Sequence, residues 1–178
     1  MTGPLLFIDV DGVLNPACPH PDTEFDSHHL LGHTVLLSGR HGAWLRELAA
    51  GYQLVWATTW EEHANLHLPP LLGLPQLPVV TFTGYVPQPD DPKVPLLDVF
   101  SARKWAPIVR YADGRPFAWI DDIIPSSLLR RTFLRRDRVL LRIEPGQGLQ
   151  RRHVDRLLAR PPVASRRRRR ADDQSTRH

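Results

Sequence analysis

Short apolar runs alternate five times along this chain with stretches of helical pattern, and that alternation constrains its fold more than any other feature. Leu5 to Asp9, Leu54 to Thr58, Pro78 to Thr83, Phe117 to Asp121 and Val139 to Ile143 read as strands. From Arg40 the pattern turns helical, with Trp44, Leu45 and Leu48 on one face and Gly51 as a C-terminal stop. A short helix follows over Glu61 to Leu68, stopped by Pro69, and another over Pro95 to Arg110. Pro107 predicts an interruption of the latter, with a fresh start near Arg103 or Lys104 that places the proline in a first turn. Leu128, Leu129 and Phe133 mark a further helix, and Leu149, Val154, Leu157 and Leu158 a final one ended by Pro161 and Pro162. Such alternation predicts an α/β fold, a doubly wound parallel sheet of about five strands flanked by helices. Ligands of such sheets lie at the carboxyl ends of the strands.

A chain of 178 residues supports one sizeable core, placed over residues 1–160. Asn15 to Arg40, rich in Pro and His, reads as an excursion after the first strand, a flap or small hairpin over 15–40. Eight of the 18 prolines fall between Pro69 and Pro95, which predicts mostly loop there. The net charge of +4 suggests a polyanion binder until it is located. Up to Leu129 there are 7 Lys and Arg against 14 Asp and Glu, and from Arg130 to Arg160 there are 10 against 3. Residues 161–178 carry 6 Arg and 2 Asp, so the surplus equals the charge of an Arg-rich tail expected to be disordered. No apolar run reaches membrane-spanning length, and Met1 to Leu14 lacks a basic start, so a cytoplasmic protein is expected. The single cysteine, Cys18, excludes an intrachain disulfide and a cysteine-only zinc site.

The strand ends carry the chemistry. The first run ends in Asp9, with Asp11 two positions on and Gly12 permitting a tight turn. The second ends in Thr58 and Thr59, and the fourth in Asp121 and Asp122. Four carboxylates from two strands thus converge, beside a hydroxyl and the amine of Lys104, and they repel one another unless a positive charge sits among them. A hard cation with oxygen ligands answers that need, and Mg²⁺ favours a few carboxylates plus water and phosphate. The loop is not an EF-hand, because its sixth position is Leu14 where glycine is required. The nine histidines, including His63 and His67 at helical spacing, show no ligand set with Cys or acidic partners in zinc spacing.

These residues carry a resemblance. Phe-Ile-Asp-Val-Asp-Gly-Val-Leu from Phe7 to Leu14 resembles the first motif of the haloacid dehalogenase superfamily of hydrolases. Leu-Val-Trp-Ala-Thr from Leu54 to Thr58 resembles its second motif, and Trp-Ile-Asp-Asp from Trp119 to Asp122 its fourth, over a match of roughly Leu5 to Ala159. The third motif is a basic residue ahead of the last of these strands, and the chain offers two lysines, Lys93 and Lys104, of which Lys104 is preferred. The resemblance implies Asp9 as nucleophile, forming an aspartyl-phosphate, and Asp11 as the acid and base that serves the leaving oxygen and the water. It implies Thr58 and Lys104 as holders of the phosphoryl oxygens, and Mg²⁺ bound by Asp9, the backbone carbonyl of Asp11, and Asp121, with Asp122 in support. A minimal cap is implied too, one that leaves the site open to bulky substrates.

The expected activity is that of a Mg²⁺-dependent phosphatase on nucleotides or phosphorylated nucleic-acid ends, with sugar or metabolite phosphates as second choice. Thr59 and Arg40 are candidate substrate contacts, although an ordinary helix start also accounts for Arg40. Trp60 stands open between walling the pocket and filling core. The rival reading is a binding module in which Arg166 to Arg170 grip a polyanion, giving weak, salt-sensitive nucleic-acid contact through the tail.

Overall fold

The computed structural model describes residues 3–19, 24–82 and 96–164, with only the backbone for 96–102. Strands β1 (Leu5–Ile8), β4 (Gln53–Trp56), β5 (Phe117–Asp121) and β6 (Arg138–Arg142) form one parallel sheet in the order β4-β1-β5-β6, and β2 (Asp26–Leu30) pairs antiparallel with β3 (His33–Leu37) in a separate hairpin. Five helices lie among the described residues: α1 (Gly39–Ala49), α2 (Glu62–Leu72), α3 (Leu96–Ala112), α4 (Ser126–Thr132) and α5 (Arg151–Ala159). The α/β fold with a parallel sheet is the one the alternation predicts.

The strands are apolar at almost every position because both faces of the sheet are covered. Leu6, Ile8, Leu54, Trp56, Ala118, Ile120 and Leu141 point into a core shared with α1, α2 and α5. Their neighbours Leu5, Phe7, Val55, Phe117, Trp119 and Leu140 point the other way, into a second core with Ile108 and Ala112 of α3 and Leu128 of α4. The strand period of two thus splits each run between two buried layers.

Four expectations need correction. Among the described residues the sheet has four strands where about five are expected: residues 78–82 contribute only a bridge, in which Trp56 N–H donates to the Pro78 carbonyl and Val80 N–H to the Trp56 carbonyl, each at 2.9 Å. Pro78 has no N–H to give a ladder, and Thr83 lies outside the described residues. Helix α2 runs on through Pro69 and Pro70 to Leu72. Its far end is fixed from outside, because Arg46 of α1 donates to the carbonyls of Leu72 and Gly73 at 2.7 and 3.0 Å, and Gly73 closes the helix in the left-handed conformation at φ 62°. Gly42 makes this docking possible, since a Cβ there would lie 2.0 Å from the Leu72 carbonyl oxygen.

Helix α3 is likewise continuous, with Pro107 in its interior. The ring forfeits one intrahelical bond, but burial of Ile108 and Ala112, one and two turns beyond Lys104 on the same face, holds the helix to the sheet. Phe133, expected to mark that helix with Leu128 and Leu129, stands just past the end of α4 and is 81% exposed.

The excursion after β1 does contain a hairpin. Its two-residue turn places Leu31 at φ 51° and Gly32 at φ 82°, the pair of positive values that a tight hairpin of this twist requires. Val35 and Leu37 anchor it in the main core. The Arg-rich segment 165–178 and Lys93 lie outside the described residues.

Candidate active site

Strand β1 lies in the middle of the sheet, between β4 and β5, so the residue that follows it is flanked on both sides. That residue is Asp9. Its backbone N–H donates to the Ile120 carbonyl at 3.2 Å, while Ala57 N–H donates to the Ile8 carbonyl at 2.8 Å, so Thr58 and Asp121 are held beside Asp9 by continuation of the two ladders. Asp9, Thr58 and Asp121 are all buried. One Asp9 oxygen, Oδ1, accepts from Val10 N–H at 2.9 Å, and Asp121 Oδ1 accepts from Ile123 N–H at 3.0 Å. Each carboxylate is aimed by the backbone of the turn it begins.

Lys104 arrives from α3. Its Nζ donates to Asp9 Oδ2 at 2.5 Å and to Asp121 Oδ2 at 2.7 Å, bridging the two strand ends with 6% exposure. Burial and the nearby Asp121 push the Asp9 carboxyl up to about 7 against the opposing pull of Lys104. Burial also works against the ammonium, but Asp9 and Asp121 together outweigh it and hold Lys104 above its ordinary range. Burial and the proximity of Asp9 push Asp122 up as well. A second positive charge here is therefore electrostatically favoured.

The geometry accommodates one. Asp9, Asp121 and Asp122 each present an oxygen within 4.8 Å of the others, the one such group of acidic, His or Cys ligands among the described residues. Oxygens around a single octahedral Mg²⁺ stand at most about 4.2 Å apart, so small side-chain rotations close the set. The carboxylate of Asp11 is not part of it; of the four acids named from the sequence, three converge by side chain. Gly12 explains how the turn and Asp122 share this space: it sits at φ 71°, and a Cβ would fall 2.5 Å from Asp122 Oδ2.

Asp11 is held separately, at the rim. Its Oδ1 accepts from Asn15 Nδ2 and its Oδ2 from Trp60 Nε1, both at 2.9 Å. Trp60 is 5% exposed, so the indole is both core and positioning group. Asn15 in turn accepts from Leu36 N–H at 2.9 Å, which ties the β2–β3 hairpin to the Asp11 loop. In the sequence the one signal that marks Asn15 is its spacing of four from Asp11.

Asp9, Asp11, Thr59, Lys104 and Asp122 open onto a cleft of about 440 Å³ whose walls include Phe82 and Arg103, two further residues the sequence reading missed. Thr58 lies beneath the lining, with its Oγ1 accepting from Trp60 N–H at 3.3 Å and its hydrogen left to donate. It does not cap α2, whose N-cap is Glu61. Arg40 is not brought to the cleft: it stands exposed in the first turn of α1, 3.6 Å from the Glu24 carboxylate.

A family model described as the HAD domain in Swiss Army Knife RNA repair proteins matches residues 5–154. No curated protein matches the chain. Among solved structures, a Vibrio cholerae protein described as a candidate 3-deoxy-D-manno-octulosonate 8-phosphate phosphatase aligns at 17% identity over 92% of this chain and 88% of its own, with a TM-score of 0.43.

Proposed function

Because the chain belongs to the family described as the HAD domain in Swiss Army Knife RNA repair proteins, within the haloacid dehalogenase superfamily, we propose that it is a Mg²⁺-dependent phosphomonoesterase acting on nucleotides or phosphorylated nucleic-acid ends. The observation that carries this reading is a buried carboxylate, Asp9, at the end of the central strand. It is bridged by Lys104 to a second carboxylate and faces a cleft wide enough for a phosphate ester.

Asp9 attacks phosphorus in line, forming a new bond from a carboxylate oxygen as the ester oxygen departs. Asp11, aimed by Trp60 and Asn15, gives a proton to that departing oxygen. Water then attacks the phosphorus of the aspartyl-phosphate, Asp11 takes the water's proton, and inorganic phosphate leaves with Asp9 restored. Lys104 and the hydroxyl of Thr58 hold phosphoryl oxygens, where the charge of the transition state spreads, and Thr59 contacts the substrate at the mouth. Asp9, Asp121 and Asp122, with the backbone carbonyl of Asp11, would hold Mg²⁺, which would supply neutralisation of the phosphoryl charge. Residues 15–40 serve as a small flap on a single catalytic domain that ends near residue 160.

The test is a phosphate-release screen with Mg²⁺ over 5′- and 3′-phosphorylated oligonucleotides, mononucleotides and sugar phosphates. Release from nucleotides or oligonucleotide ends, abolished by Asp9→Asn, is the expected result. No release from any member, or full activity of Asp9→Asn, overturns the reading.

A further inference from the structure

A second concavity lies away from the carboxylates. It is a groove of about 760 Å³ along the outer edge of β6, lined by Arg135, Arg136, Arg138, Arg142, Arg156 and Arg160. All six basic residues are arginines, and the acid of this region, Asp137, is already engaged. Arg135 donates to it through two nitrogens at 2.8 and 2.7 Å, and Arg138 stands 3.7 Å away. Arg138 also lies over the rings of Trp105 and Phe117, 5.4 and 5.5 Å from their centroids. Arg142 donates to the Ser126 hydroxyl at 3.3 Å.

Arg136, Arg156 and Arg160 are exposed and meet no carboxylate among the described residues. They come from three places: the loop before β6, the last turn of α5, and the cap of that helix. Val163 N–H donates to the Arg136 carbonyl at 2.8 Å, which draws the chain after α5 against that loop and brings the three together. Unpaired guanidinium groups gathered into one groove raise the energy of the folded chain unless an anion joins them.

We propose that this groove binds the sugar–phosphate backbone of a single-stranded nucleic acid. Guanidinium forks match phosphate oxygens in pairs, which a point-charge ammonium does not. The groove is also lined by Phe133, 81% exposed and followed by Leu134 at 89%. A basic track beside an exposed aromatic ring is the arrangement that holds single strands, the ring stacking on a base whatever its identity. The direction of the track is set by the sheet. Arg142 is paired in register with Asp121, so the C-terminal end of β6, which edges the groove, lies beside the strand end that carries Asp121 and Asp122. A strand lying along β6 reaches the cleft with its end. That use as a substrate track rests on the phosphatase reading above; binding to the groove does not.

Fluorescence anisotropy with a labelled single-stranded RNA, repeated with the DNA of the same sequence, tests binding apart from catalysis. The full-length chain carries Asp9→Asn to prevent turnover and glutamines at Arg166 to Arg170 so that the tail contributes no charge. Adding Arg136→Ala, Arg156→Ala and Arg160→Ala is expected to flatten the slope of log K against log salt by about 2. Affinity at 0.1 M salt falls about 100-fold, following roughly 0.7 per phosphate contact on a single strand. Phe133→Ser is expected to weaken binding at least about fivefold with the slope unchanged. Binding of the triple variant within twofold of its parent overturns the proposal. So does arginine-dependent binding to vesicles containing phosphatidylserine with no binding of either oligonucleotide. Should the chain prove inactive on every phosphate ester, these binding results still decide the groove.

Discussion

Replacing Lys104 by Met keeps an unbranched side chain one atom shorter and removes the charge from between two buried carboxylates. The ammonium is 6% exposed and donates at 2.5 Å to Asp9 and 2.7 Å to Asp121. Removing one partner of a buried ion pair costs about 3–5 kcal/mol, because the charge left behind is unsolvated. Proton uptake limits this loss. Burial, with Asp121 adding to it, already holds Asp9 at about 7 with Lys104 in place, and without the ammonium it rises further. A carboxyl raised on folding binds more protons folded than unfolded, so its contribution becomes more favourable as pH falls from the folded value toward the ordinary value near 4. Each pH unit in that window is worth about 1.4 kcal/mol per group, and the window is wider in the variant. Lys104→Met is therefore expected to lose about 3–5 kcal/mol near pH 8.5 in chelator, and about 1–2 kcal/mol less near pH 6. Urea unfolding followed by fluorescence of the buried Trp56 and Trp119 reports both values. No loss near pH 8.5, or an equal loss at both pH values, refutes the counter-charge role of Lys104.

Gly12→Ala forces a Cβ to within 2.5 Å of Asp122 at a φ of 71°. We expect about 1–2 kcal/mol of destabilisation by thermal melting and about a tenfold rise in the Mg²⁺ needed for half-maximal phosphate release. Trp60→Phe keeps a ring in the core but removes the donor to Asp11, so kcat should fall roughly three- to tenfold with KM little changed in steady-state assays. His153, whose Nδ1 accepts from Gln150 N–H at 3.1 Å at the start of α5, is held down to about 4 by burial and by Arg152 and Arg156. The unfolded chain therefore binds the extra proton between about 6.5 and 4, and stability is full above that window and lost as pH falls through it. His153→Gln should remove about 1–3 kcal/mol of that slope in unfolding measured from pH 7 to 4.

The site was more legible in the sequence than the helices that deliver it. A buried parallel strand shows itself as an apolar run, and a functional carboxylate at its end stands out against that run, as Asp9 and Asp121 do. Lys104 stands out as one of two lysines, but the interruption expected at Pro107 places a fresh helix start beside it, whereas α3 runs unbroken from Leu96 through Pro107. The local cost of proline is readable from sequence, but the packing of Ile108 and Ala112 that outweighs it is not. Pro69 and Pro70 within α2 repeat the lesson, since the Arg46 contacts that finish the helix span 26 and 27 residues. Asn15 and Trp60 were visible as residue types, yet their shared grip on Asp11 depends on a fold that brings position 60 to position 11. The arginines of 135–160 appeared only as a charge imbalance, and the parallel pairing of β6 with β5 gives them a common edge.

The central claim is that Asp9 carries the phosphoryl group. Borohydride added during turnover of a phosphorylated oligonucleotide with Mg²⁺ reduces an aspartyl-phosphate to homoserine, and peptide mass mapping locates the change. The account predicts homoserine at position 9 that requires both substrate and Mg²⁺. Phosphate release with Asp9 unmodified, and the label at another residue, contradicts it.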